Sequence, residues 1–211
     1  MTMLRDAVIV ATARTPMGRY GGQLKDVRPD DLAAIVLTEV CERARIKPAE
    51  VSDVILGCAN QAGEDNRNIA RMALLLAGFP VEVPGQTVNR LCGSGMQATV
   101  AAAREIQTGA ADVMIAGGVE SMTRAPWVMP KPDGAYPRGP QTAYDTALGW
   151  RLVNSKMAEL YGNLTDAGAI PMVVVNETSV FAAPFYANTA SAGTNSPRKT
   201  LVSAEASAKT P

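Results

Sequence analysis

No histidine occurs anywhere in the 211 residues. That absence excludes Ser-His-Asp and Cys-His machinery within this chain, because no imidazole is available to take a proton from a serine or a cysteine. It also removes the commonest metal ligand, and no C-x-x-C pair replaces it, so no metal site is expected. Cysteine is scarce as well. Cys41, Cys58 and Cys92 stand far apart and in odd number, which is not a disulfide framework. A reducing cytoplasm is the expected compartment. A surplus of one charge is missing too. Twenty basic residues offset twenty acidic ones, so neither nucleic acid nor an anionic membrane surface is an expected partner. Long apolar runs are lacking. The opening "MTMLRDAVIVATAR" is too short in its apolar part for a signal sequence, and no run approaches a membrane span.

What is present is an ordinary globular balance, 47% hydrophobic and 19% charged, in a length that fits one good core or one and a half domains. Apolar runs rich in β-branched residues predict short buried strands at "AVIVATA" (7–13), "DVILGCA" (53–59), "GQTVNRL" (85–91) and "DVMIAGG" (112–118). Between them lie three helical patterns. The first, 28–46, carries apolar residues at Leu32, Ile35, Val36, Val40 and Ala44 and is stopped by Pro48. The second covers 66–80, and the third covers 94–109 with Gly109 at its end. Strands alternating with helices define an α/β class, a layered mixed sheet with helices on both faces. Residues 121–162 are rich in proline and glycine and predict a surface excursion, with a short helix within 146–162. Residues 163–211 are small, polar and aperiodic toward their end. They predict a flexible tail, with room for one strand in "MVVVNETSVFAAPFYANTA".

Cys92 is the candidate for chemistry. The strand ending at Leu91 and the helix starting near Ser94 place its thiol at a helix N-terminus, where backbone N–H groups and the helix dipole favour a thiolate. Gly93 and Gly95 let another backbone or a substrate come close. The helix that follows is apolar on nearly every side, which predicts burial all round. Spacing leaves two readings open: a nucleophile, or a packed core thiol. Met96 and Met114 read as core filler. Trp127 and Trp150 read as interface anchors or simple packing, and Arg14 and Arg19 as loop arginines able to meet a phosphate.

"NRLCGSGMQA" (89–98) resembles the active-site segment of the thiolases, the acetyl-CoA acetyltransferase and 3-ketoacyl-CoA thiolase family. "AGGVESMTRAPWVMP" (116–130) is similar to the segment that follows it in that family, and "ARTPMGRYGG" (13–22) to its N-terminal loop. The three matches fall in the family's order and spacing and reach to about Gly162. The resemblance implies a thiolase-like N-terminal α/β domain over 1–120, the start of the loop region over 121–162, and an unrelated segment over 163–211. It implies that Cys92 is the catalytic nucleophile, accepting an acyl group from a CoA thioester in a Claisen condensation or in thiolysis of a 3-ketoacyl-CoA. Gly117, Gly118, Glu120, Ser121 and Met122 would lie beside it. The CoA thioester is substrate, and no cofactor is implied. The substrate-binding residues stay unassigned.

The family's chain is nearly twice as long. Its second half carries a histidine in a Gly-His-Pro context that deprotonates the nucleophile, a second cysteine, and an Asn-Glu-Ala-Phe segment. Here no histidine occurs, no cysteine follows Cys92, and Val175, Asn176 and Glu177 match the last segment at the wrong spacing. The expectation is an incomplete copy with impaired activity, a homo-oligomer or the companion of a thiolase subunit. The alternative is a non-catalytic fragment or interaction module that associates with a full-length homologue.

Overall fold

The computed structural model describes residues 4–147, 151–161 and 177–187. Trp150, residues 163–176 and residues 188–211 lie outside them, with the expectations that fell there. The chain opens with three short strands, β1 (Ala7–Ile9), β2 (Ala13–Arg14) and β3 (Gly18–Arg19). Helix α1 (Pro29–Ala44) leads through a short 3₁₀ turn to β4 (Asp53–Gly57). Then come α2 (Ile69–Leu76), β5 (Gly85–Val88), α3 (Ser94–Thr108) and β6 (Val113–Glu120). A small ribbon, β7 (Trp127–Val128) with β8 (Tyr144–Asp145), precedes α4 (Ser155–Tyr161) and β9 (Glu177–Ala187).

The main sheet runs β1-β9-β6-β4-β5, with β2 and β3 also paired to β9. Strands β5, β4 and β6 are parallel, while β9 is antiparallel to β6 and β1. The layered mixed sheet expected from the sequence is therefore present. Glu177–Ala187, within the stretch where the sequence left room for one strand, form one. These residues are the longest strand among those described and sit inside the sheet, where hydrogen bonds to β6 and β1 hold their backbone.

The central strands β4 and β6 are largely apolar because both faces are covered. Val54 and Leu56 of β4, with Ile115 and Val119 of β6, join the core formed with α1 and α2. Ile55, Met114 and Ala116 point the other way and join Ala98, Ala102 and Ile106 of α3. The alternation is the period-two geometry of a strand read against two helical layers.

Pro29 at the first helical position, with Asp30 and Asp31 in the first turn, sets the start of α1. Arg45 ends it in the left-handed conformation, φ 55°, three residues before Pro48. The buried stripe is Leu32, Ala33, Val36, Leu37, Val40, Cys41 and Ala44. Ile35, expected in the core, is 60% exposed, because Leu37 rather than Ile35 falls on the inward stripe.

The expectation for α3 is also corrected. Only one stripe is covered, Ser94, Ala98, Ala102 and Ile106, at a spacing of four. Met96 is 75% exposed and Val100 is exposed beside it, whereas Met114 is core filler as expected. Small residues on the covered stripe let α3 lie close to the sheet. The closest approach is at its first turn. A methyl group at Gly57 would overlap the carbonyl carbon of Ser94 and the nitrogen of Gly95. A Cβ at Gly118 would come within 3.2 Å of the Gly57 oxygen and of Gly95 Cα.

Gly57→Ala is expected to destabilise the chain by at least about 1–3 kcal/mol, since helix and sheet backbones would both have to move. Gly134→Ala, with nothing within 4 Å, is the control and is expected to change stability by no more than about 0.5 kcal/mol. Urea denaturation of the two variants checks this, and equal midpoints would contradict it.

Candidate active site

Cys92 lies in the connection between β5 and α3, exposed, two residues before the helix begins. Gly93 is the N-cap residue, and no side chain caps the helix there. The strand register fixes the level of the site. Gly118, Gly57 and Val88 are aligned across β6, β4 and β5; β4 and β5 end at this level, β6 runs two residues further, and Cys92 follows four residues past Val88. The carboxyl edge of a parallel sheet is where open α/β folds place their ligands.

The turn that carries Cys92 is held from both sides. Leu91 is in the left-handed region, φ 51°, a conformation that costs a non-glycine residue about 1–2 kcal/mol. The Leu91 N–H donates to Asn89 Oδ1 at 2.9 Å. The Leu91 carbonyl accepts from the Ser94 N–H at 3.0 Å and from the Ser94 hydroxyl at 2.6 Å. The Ser94 hydroxyl in turn accepts from the Arg90 N–H at 2.8 Å. Ser94 is thus a buried brace of the turn.

Gly93 and Gly95 were expected to provide the close approach. An added Cβ would meet its nearest atom at 3.4 Å at Gly93 and 3.7 Å at Gly95, both ordinary contacts. The side chain that has to be missing is at Gly57, which the sequence did not single out, with Gly118 next to it. Of the residues expected beside Cys92, Gly117 and Gly118 meet the first turn of α3, and Glu120 ends β6. Ser121 is buried and Met122 is half-buried just beyond. Arg14 and Arg19 stand exposed on β2 and β3, and Trp127 is exposed on β7.

Glu120 accepts the N–H of Ala59 at 2.8 Å and that of Asn60 at 3.3 Å. Burial pushes its carboxyl up to about 7. The two N–H groups pull against that shift, Asp65 adds to it, and Arg151 opposes it. The Cys58 thiol lies beside it, within reach of the Asn60 carbonyl at 3.2 Å and Asp65 Oδ2 at 3.4 Å. Burial, then the charges of Glu120 and Asp65, raise this thiol far above its ordinary value, so it stays protonated and donates. Among the described residues, the donor atoms of Cys58, Asp65 and Glu120 all lie within 4.8 Å of one another.

The loop beyond Ser121 is fastened back on this edge. Arg124 forms a two-pronged ion pair with Glu64, which Arg28 also meets. Thr146 donates to the Pro126 carbonyl and accepts from Asn60 Nδ2 at 2.9 Å. Most of the chain between these anchors is exposed, the surface excursion expected for it.

This layered α/β architecture has a counterpart among solved structures. The crystal structure of the Bacillus anthracis acetyl-CoA acetyltransferase matches with a TM-score of 0.65 and 38% identity, covering 75% of this chain and 43% of that one. The family model for the thiolase N-terminal domain matches residues 7–174, beyond the Gly162 expected as the limit, and the chain belongs to the thiolase family. It is 58% identical over 160 residues to a 3-oxoadipyl-CoA/3-oxo-5,6-dehydrosuberyl-CoA thiolase of Escherichia coli, and 56% identical to a beta-ketoadipyl-CoA thiolase of Acinetobacter baylyi. Each match covers 75% of this chain and 40% of the relative. An acetyl-CoA acetyltransferase of Syntrophomonas wolfei is 45% identical over 134 residues, 64% of this chain and 34% of that protein. The chain thus spans about two fifths of the length of these curated relatives.

Glu120 makes stability depend on pH. Its folded-state value near 7 lies above the ordinary 4.5, so between them the folded chain holds more protons than the unfolded one. Stability contributed by this group is full below that window and is lost as pH rises through it. Glu120→Gln does not titrate, so its urea midpoint is expected to fall less than that of the parent between pH about 5 and 7. Parallel curves for the two proteins would contradict this.

Proposed function

We propose that this chain is the nucleophile-bearing half of a thiolase-type acyltransferase, with Cys92 as the acyl acceptor. The observation that carries the reading is the exposed thiol, held on a braced turn where three parallel strands end, within a family match that runs through it. The Cys92 thiolate adds to the carbonyl carbon of a CoA thioester. The bond from that carbon to the CoA sulfur then breaks, and CoA leaves as a thiolate that takes up the proton Cys92 lost. A covalent acyl-enzyme divides one hard carbon–carbon step into two thioester exchanges. In condensation, the α-carbon of a second acyl-CoA attacks the acyl group, a carbon–carbon bond forms, and Cys92 departs as thiolate. Thiolysis is the reverse.

No histidine is present to take the proton from Cys92. Acyl uptake by this chain alone therefore proceeds without an imidazole base, and is slow. The relatives named as thiolases of 3-oxoadipyl-CoA and beta-ketoadipyl-CoA support a 3-oxo dicarboxyl-CoA as the substrate. The acyl group left on Cys92 by thiolysis is then itself an acid. CoA thioesters enter as substrates, and no further cofactor is needed for this chemistry.

A second reading rests on a different observation. Leu91, Met96 and Val100 expose apolar surface around the Cys92 turn, which favours association with another thiolase subunit or a second copy. In its pure form this reading makes the chain a non-catalytic module.

Incubation with acetyl-CoA and with succinyl-CoA, followed by intact-mass spectrometry, separates the two readings. An adduct is expected that Cys92→Ser abolishes. A folded protein with no adduct, and a sizing profile heavier than a monomer, would give the second reading the lead.

A further inference from the structure

The parallel strands β4, β5 and β6 end on the same edge of the sheet, yet the Cys92 turn follows only one of them, β5. One of its ties to the others runs through the Asn89 side chain. Asn89 Oδ1 accepts the Leu91 N–H at 2.9 Å, while Asn89 Nδ2 donates to the Ala59 carbonyl at 2.9 Å. Ala59 lies just past β4, and its own N–H donates to Glu120 at the end of β6. The Asn60 N–H donates to the same carboxyl. One continuous path of hydrogen bonds thus runs from β6, through the segment after β4, to the residue preceding the candidate nucleophile.

We propose that Asn89 is a positioning residue for Cys92: its amide clamps Leu91 in the left-handed conformation and references the thiol to the ends of β4 and β6. Each half of the amide has its own partner: Oδ1 accepts from the Leu91 N–H, the contact that fixes the turn, and Nδ2 donates to the Ala59 carbonyl. Ser94 holds the Leu91 carbonyl but makes no hydrogen bond to the Leu91 N–H. Without Asn89, nothing among the described contacts fixes that N–H, and the peptide before Cys92 is released to the more populated extended or right-handed conformations. Moving the thiol by about 1 Å is enough to lower a positioned reaction by up to about a hundredfold. Asn89 does not touch the reacting atoms. The inference deepens the acyltransferase reading and rests on it for its catalytic consequence.

The experiment compares the parent chain with Asn89→Ala and Asn89→Asp. Asp keeps the acceptor for the Leu91 N–H and loses the donor to Ala59. Two quantities are read: the rate of acyl uptake by Cys92 from acetyl-CoA, and amide hydrogen exchange over residues 90–95. Protection of Cys41 and Cys58 from alkylation confirms that each variant is folded. Asn89→Ala is expected to slow acyl uptake about tenfold or more and to speed exchange over 90–95 by a similar factor. Asn89→Asp is expected to recover much of both. An Ala variant that acylates and exchanges like the parent would overturn the inference. If the parent itself takes no acyl group, the acyltransferase reading fails. Exchange then decides the clamp on the same terms, unchanged exchange in Asn89→Ala overturning it.

Discussion

The missing side chain at Gly57 is the constraint on which the rest of the candidate site depends. Helix α3 begins directly over the end of β4, so closely that a methyl group there would occupy the backbone of Ser94 and Gly95. Because the helix is seated so low, Ser94 is buried and its hydroxyl can brace Leu91 and Arg90. Because Leu91 is braced, Cys92 leaves the turn on the exposed side. The order of dependence runs from a tertiary contact between two backbones to the placement of one thiol. Hydrogen bonds at the turn refine that placement, and the close packing of α3 on the sheet supplies the stability that pays for a left-handed leucine.

The three cysteines divide by the same logic. Cys41 sits on the buried stripe of α1, and burial pushes its thiol up to about 11. Cys58 sits behind the strand ends, where burial first, and then the charges of Glu120 and Asp65, hold its proton in place. Cys92 alone is exposed among the three. The acidic group around Cys58 has its own part in the architecture. Glu120 draws the segment after β4 toward the end of β6, and Asn60 on that segment receives the returning loop through Thr146.

Local patterns were legible in the sequence, and contacts between distant segments were not. The alternation of β4, α2, β5, α3 and β6 followed from apolar runs and helical spacing, and the cysteine between β5 and α3 stood out by its neighbours. Ile35 was misread because apolar residues on both sides of the α1 stripe leave its exact direction to packing. The covering of α3 was overestimated because alanine is neutral as to burial: Ala98 and Ala102 are inside, while Met96 and Val100 at the next positions are not. Gly57 gave no local signal, since it lies inside a regular strand and its need arises from a helix 37 residues later. Strand β9 carries Pro184, which lacks an N–H for the ladder and argues against a strand inside a sheet. The Asn89 clamp did have a signal. An asparagine two residues before an N–H it must hold is a local turn pattern.

The most direct test of this account is timed alkylation of the folded chain with iodoacetamide, with the site of each modification located by mass spectrometry. The account predicts that Cys92 is modified first, and that Cys41 and Cys58 react only when the chain is unfolded. Labelling of Cys41 or Cys58 as fast as Cys92 in the folded chain, or protection of Cys92, would contradict it.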